Sequence, residues 1–116
     1  MDEYVGGVGT WYMTSKYMLE EGFYYLGLLK EDSYHMCAEN LHELLRAWEN
    51  FHRILAGEAH ARHIHFREET RYPGYYYRGD HLAIDDENWK CFVNSTYDKE
   101  SGEWNVFKRE YHQLIP

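Results

Sequence analysis

The sequence is poor in three things, and each shortage removes a class of function. It has only two cysteines, Cys37 and Cys91, far apart and in no CxxC pattern, so it carries neither a disulfide framework nor an iron–sulfur or zinc motif of its own. A reducing, cytoplasmic setting is expected. It has few cations: 12 Lys and Arg stand against 20 Asp and Glu, for a net charge of −8. A nucleic-acid backbone or an anionic membrane is bound through clustered Lys and Arg, so neither is expected as a partner. It also has no long apolar run and no basic-then-apolar leader, which argues against membrane insertion and export.

What is present points elsewhere. The length of 116 residues suits one domain with a modest core. The aromatic share is 18%, with twelve tyrosines and four tryptophans, yet the mean hydropathy is negative. Much aromatic surface is therefore expected to lie half-buried or against a partner. The opening "MDEYVGGVGTWYM" shows no cap, targeting signal or strand pattern, which predicts a fragment of a longer chain.

Two stretches have helical spacing. Over 15–32, Met18, Leu19, Phe23, Leu26 and Leu29 recur on one face despite Gly22 and Gly27. Over 40–69, Leu41, Leu44, Leu45, Trp48, Phe51, Leu55 and Ala59 recur at three- and four-residue steps, which predicts that these residues, Trp48 and Phe51 among them, form the buried face. Asn40 is placed as N-cap and Glu43 for a capping box. Beyond Thr70 the periodicity stops, and "DDENW" at 85–89 reads as a turn or cap. Then "KCFVNSTYD" and "EWNVFKREY", separated by "KESG", predict a β-hairpin. The expected fold is mainly α: an antiparallel helical bundle (1–69), an extended aromatic strap and turn (70–89) and a C-terminal β-hairpin (90–112).

The candidate chemical motifs are weak. His60, His63 and the more distant His52 share a helix side, but no HExxH frame or nearby cysteine completes a metal set, so hydrogen-bonded or solvated histidines are favoured. "GGVG" at 6–9 lacks GxGxxG spacing and a Walker lysine and reads as a turn. The carboxylates of "REE" read as a solvated helix end. No catalytic, cofactor-binding or metal residue is assigned. "RYPGYYYRGD" at 71–80 differs in kind. Arg71, Tyr75, Tyr76, Tyr77 and Arg78 combine forked guanidiniums with large rings that carry a hydroxyl. With Arg67, these arginines are expected to pair with Glu68, Glu69, Asp80 or Asp85 and hold a docking strip in place.

"FREETRYPGYYYRGD" followed by "DDENWKCFVNSTYD" resembles the C-terminal helical domain of dissimilatory adenylylsulfate reductase flavoprotein (alpha) subunits. "MDEYVGGVGT", "LHELLRAWENFHRILAGEAHARHI" and "GEWNVFKREY" extend the resemblance over nearly the whole chain. More loosely, Glu69-Thr70-Arg71 and residues 85–89 resemble stretches of the succinate dehydrogenase and fumarate reductase flavoproteins, although "RYPG" stands where that superfamily has a small-residue run ending in His. The resemblance implies an oxidoreductase that interconverts adenosine 5′-phosphosulfate with sulfite and AMP. It implies FAD in the full-length subunit and a ferredoxin-like beta subunit with two [4Fe–4S] clusters. This region would then be a structural and docking domain without its own active site, inactive alone. A stand-alone interaction module using the aromatic strap and a small His-rich metal binder are the competing readings.

Overall fold

A computed structural model describes residues 2–7, 10–71 and 76–115. A π-helical turn, Asp2–Gly6, leads to a two-residue strand, β1 (Met13–Thr14), and to helices α1 (Lys16–Ser33) and α2 (Leu41–Phe66). A second short strand, β2 (Tyr77–Arg78), and a helical turn, α3 (Asp86–Trp89), precede strands β3 (Cys91–Tyr97) and β4 (Trp104–Glu110). The chain is mainly α with a C-terminal hairpin, as its periodicity predicts.

The helix starts follow from local chemistry. Ser15 and Asn40 sit in extended backbone and accept from the amides of Met18 and Glu43, at 3.4 and 3.0 Å, so each satisfies an orphan N–H. Glu43 reaches back to the amide of Glu39 at 2.9 Å, one residue before the position a capping box would use. The "DDENW" turn is capped in the same way by Asp85, which accepts from Asn88 N at 3.1 Å.

The helices run antiparallel. Glu20 meets His65, Lys30 meets Glu58, and the ring of Tyr34 lies 6.2 Å from that of Phe51. This pairing sets where the core falls. Val5, Leu19, Leu26, Ala61 and Ile64 form it, with Phe23 and Tyr76 packed against it. The buried residues of α2 are Gly57, Glu58, Ala61 and Ile64, all in its C-terminal half.

The face predicted from spacing is therefore corrected. Leu41 is 84% exposed and Trp48 62%, and Leu44 and Leu45 are also exposed. The cause is length: α1 has 18 residues and α2 has 26. In the observed register Tyr34, the residue after α1, meets Phe51, so the first turns of α2 project beyond α1, by about 15 Å at 1.5 Å per residue. Leu29 of α1 is likewise exposed.

The hairpin pairs Cys91 with Glu110 through to Tyr97 with Trp104. Its turn closes with Asp98 N donating to Glu103 O at 2.9 Å, and Gly102 takes a φ of +73° that favours glycine there. Phe92 and Phe107 face outward while Cys91, Val93, Trp104 and Val106 are half-buried, the expected alternation. Trp89 anchors the hairpin to α2: Phe66 meets it edge-on at 5.5 Å and Lys108 Nζ lies 3.7 Å from its ring centre. No helix among the described residues is long and apolar enough to cross a membrane.

Candidate functional site

The site begins where α2 stops. Arg67 leaves helical geometry (φ −81°, ψ 104°), so the chain after it is extended and alternate side chains share a side. Arg67, Glu69 and Arg71 then stand together. Glu69, fully buried, accepts from Arg67 Nη1 at 2.6 Å, from Arg71 Nε at 2.6 Å and Nη2 at 3.0 Å, and from the amide of Asp85 at 2.9 Å. The solvated helix end read from "REE" is thus overturned for Glu69. Two guanidiniums and an amide replace its water, which a buried carboxylate requires. Burial pushes its pKa up, but Arg71, the Asp85 amide and Arg67 overcome that and hold it below the usual carboxylate range.

The arginines extend the lattice outward. Arg67 donates to the carbonyls of Trp89 at 2.7 Å and Cys91 at 2.9 Å, tying α2 to the hairpin. Arg71 donates to Asp86 at 2.8 Å. The partners expected for Arg67 and Arg71 included Glu68 and Asp85. Instead Asp85 contributes its backbone amide to Glu69 and its side chain to the cap of α3.

Arg78 is 1% exposed. Its Nη1 lies 2.7, 3.2 and 3.0 Å from the carbonyl oxygens of Ile64, His65 and Arg67, which have no intrahelical partner at the end of α2. Its Nε and Nη2 meet Asp80 at 2.9 and 2.8 Å. Asp80 also accepts from the amide of Lys16, the first residue of α1, at 3.3 Å. Thr70, also buried, donates its hydroxyl to His81 O and accepts from Arg78 N.

The tyrosine run sits on this lattice. Tyr77 and Arg78 pair in parallel with Met13 and Thr14, a short ladder that the sequence pattern did not indicate. Tyr76 packs on the core and its hydroxyl donates to Glu69 O at 3.4 Å. Tyr75 lies outside the described residues. Tyr77 N donates to Tyr12 O at 2.7 Å. Tyr12 and Trp11 both hold left-handed backbone, φ 60° and 56°, uncommon for aromatic residues, and Trp11 is 86% exposed.

A cleft of about 560 Å³ lies between the end of α2 and the hairpin. Arg67 and Arg71 border it, but the lattice already engages them. His63 borders it too, with Nε2 2.9 Å from Ser95 Oγ. A serine–histidine pair invites a nucleophile reading, and the surroundings argue against it. Burial, His60 and Arg67 all lower the His63 pKa, so the imidazolium such catalysis must form is disfavoured. The pair joins helix to hairpin.

Two other histidines have contacts of their own. His52 lies edge-on to Trp48, 5.5 Å between ring centres, and His65 meets Glu20 at 3.5 Å. No group of three or more His, Cys, Asp or Glu among the described residues is arranged for a metal. Gly6 takes φ +102° and a Cβ there would meet Tyr12 O at 3.2 Å, while a Cβ on Gly22 would meet Tyr4 at 3.0 Å. Both spaces are filled by protein, so neither glycine offers a cradle for the diphosphate of a dinucleotide such as FAD. Val8 and Gly9 of "GGVG" lie outside the described residues.

The arrangement of helix pair, lattice and hairpin is similar over its whole length to part of adenylylsulfate reductases of known structure. More particularly, the chain is homologous to part of the alpha subunit. It is 56% identical over 115 residues to the adenylylsulfate reductase subunit alpha of Megalodesulfovibrio gigas, matching 99% of this chain and 17% of that protein. It superposes with a TM-score of 0.96, at 52% identity, on adenylylsulfate reductase from the hyperthermophilic Archaeoglobus fulgidus. The same values relate it to an adenosine-5-phosphosulfate reductase in complex with sulfite as a covalent adduct. In both, all of this chain matches 18% of the solved one. The chain thus spans under a fifth of the length of the relatives it matches. No family model matches it.

Proposed function

We propose that this chain is the helical docking segment of an adenylylsulfate reductase flavoprotein subunit, serving the interconversion of adenosine 5′-phosphosulfate with sulfite and AMP as structure rather than as chemistry. The observation that carries the reading is the 56% identity, spread over 99% of the chain, to a known alpha subunit. In this reading FAD is bound by the remainder of the subunit, and electrons arrive from the [4Fe–4S] clusters of a ferredoxin-like beta subunit in the cytoplasm. The remainder completes the bundle that the helix pair begins.

The strap at 71–80 is the docking strip. Arg78 and Arg71 hold it from within through Asp80, Glu69 and Asp86, and Tyr76 roots it in the core. Tyr75 and Tyr77 then meet the neighbouring domain, as does the exposed Trp11 next to Tyr12, whose carbonyl accepts from Tyr77 N. Aromatic rings are frequent anchors of such interfaces. The left-handed backbone at Trp11 supports this, because strain that the fold tolerates tends to mark functional positions.

The test places Tyr75→Ala and Tyr77→Ala in the polypeptide that carries this sequence and in the 116-residue chain alone. At least one should lower flavin content and turnover of the former by an interface loss of about 1–3 kcal/mol while leaving the melting of the latter nearly unchanged. Equal destabilisation of both would make the strap ordinary internal packing.

A further inference from the structure

We propose a second docking face at the opposite end of α2, formed by Leu41, Leu44, Leu45 and Trp48 and covered by an apolar groove of the remaining part of the same subunit. This rests on the reading of the chain as a segment of an alpha subunit.

The four residues occupy positions i, i+3, i+4 and i+7, one stripe of a helix. They are 84, 51, 55 and 62% exposed. Glu43 and Arg46 fall between them in sequence and so on other sides of the helix. A stripe of this spacing has the anchor pattern of a helix laid in a groove. The stripe lies on the turns of α2 that overhang the end of α1, and the described residues leave all four side chains exposed. Four large apolar side chains presented together exceed the scattered exposure normal for a monomer surface.

The occupant follows from three observations. The matched part of the Megalodesulfovibrio gigas subunit is 17% of its length, so more than four fifths of that polypeptide lies outside the match and is covalently available at high effective concentration. The stripe itself carries no charge, which suits a permanent interface rather than a transient one. A second copy of this chain is disfavoured because each copy carries −8 and the two would repel. From Trp48 to His65, where the lattice begins, α2 rises about 25 Å at 1.5 Å per residue, so this face and the tyrosine strap are separate contacts.

Hydroxyl-radical footprinting of the native polypeptide, purified without its iron–sulfur partner, tests the proposal. Oxidation of Trp48 should be at least about tenfold slower than in the same polypeptide unfolded in urea, as for a stably buried group, and Trp48→Glu should abolish recovery of soluble, flavin-loaded subunit. Oxidation of Trp48 at the unfolded rate would overturn the inference. So would protection that arises only when the iron–sulfur subunit is added, or protection that grows with polypeptide concentration, which would indicate a second copy. Tyr77 in the same experiment separates the two ideas: Tyr77 protected with Trp48 open removes this face alone, whereas recovery of the sequence only as a short, flavin-free chain removes the underlying reading.

Discussion

Arg78 and Asp80 form a two-bonded pair, 2.9 and 2.8 Å, that joins the end of one helix to the start of the other. Arg78 takes the last carbonyls of α2 and Asp80 takes the first amide of α1. The guanidinium sits at the negative end of one helix dipole and the carboxylate at the positive end of the other. Lysine cannot reproduce the fork. Arg78→Lys should cost about 2–3 kcal/mol and Arg78→Ala about 3–5 kcal/mol, read from urea unfolding midpoints. An unchanged midpoint for Arg78→Lys would show that the clasp does not hold the helix pair.

The same lattice sets the acid limit of the fold. Arg78 holds the Asp80 carboxyl at about 2, well below its ordinary value of 3.8, and Glu69 is shifted in the same direction. A depressed carboxylate stabilises the fold at pH values above its unfolded pKa, and that stability is lost as pH falls toward the folded pKa. Melting temperature should therefore drop steeply between about pH 4 and pH 2. Asp80→Asn should lower it at neutral pH and flatten that drop. A variant that kept the full acid slope would place its origin elsewhere.

His63 titrates in the same sense at higher pH. Its pKa lies below the ordinary 6.5 through burial, His60 and Arg67. The fold is then least perturbed above pH 6.5 and loses stability as pH falls below it, because the unfolded chain takes the proton more readily. His63→Gln should remove the slope between about pH 6.5 and pH 5 while leaving the steeper acid loss intact. A stability rising through that window on acidification would contradict the placement of His63 among cations.

Core and periodic pattern part company at Leu19 and Trp48. Leu19 is fully buried, and Leu19→Ala should cost about 2–5 kcal/mol. Trp48→Ala should change the stability of the 116-residue chain by no more than about 0.5 kcal/mol, as for other exposed positions. Thermal melts of both variants decide it, and a large loss at Trp48 alone would restore the face predicted from spacing.

That contrast shows what could be read in advance. The cap at Asn40, the turn or cap at 85–89 and the alternation of the hairpin depend on neighbours a few residues away, and they were legible, whereas Ser15, read as part of the first helix, is its N-cap. The buried end of α2 was not legible. The 3.6-residue pattern marks an apolar face without saying what covers it, and here α1 is too short to reach Leu41 to Trp48. Glu69 was hidden for a related reason. Its burial depends on Arg67 leaving the helix, after which the alternation Arg67, Glu69, Arg71 becomes an ion ladder; within a helix the same residues would point to different sides. The short ladder between Met13 and Tyr77 pairs residues 64 apart, and no local signal marks such a contact.

The most direct test of the account is the size and colour of the polypeptide that bears this sequence in its own cells. An antibody raised against the 116-residue chain should recover a polypeptide roughly six times as long, by the 17% share of the Megalodesulfovibrio gigas subunit, with flavin absorbance and, when a two-electron reductant is supplied, adenylylsulfate-dependent formation of sulfite and AMP. Recovery of a colourless 14.1 kDa chain alone, with no longer form, would contradict it.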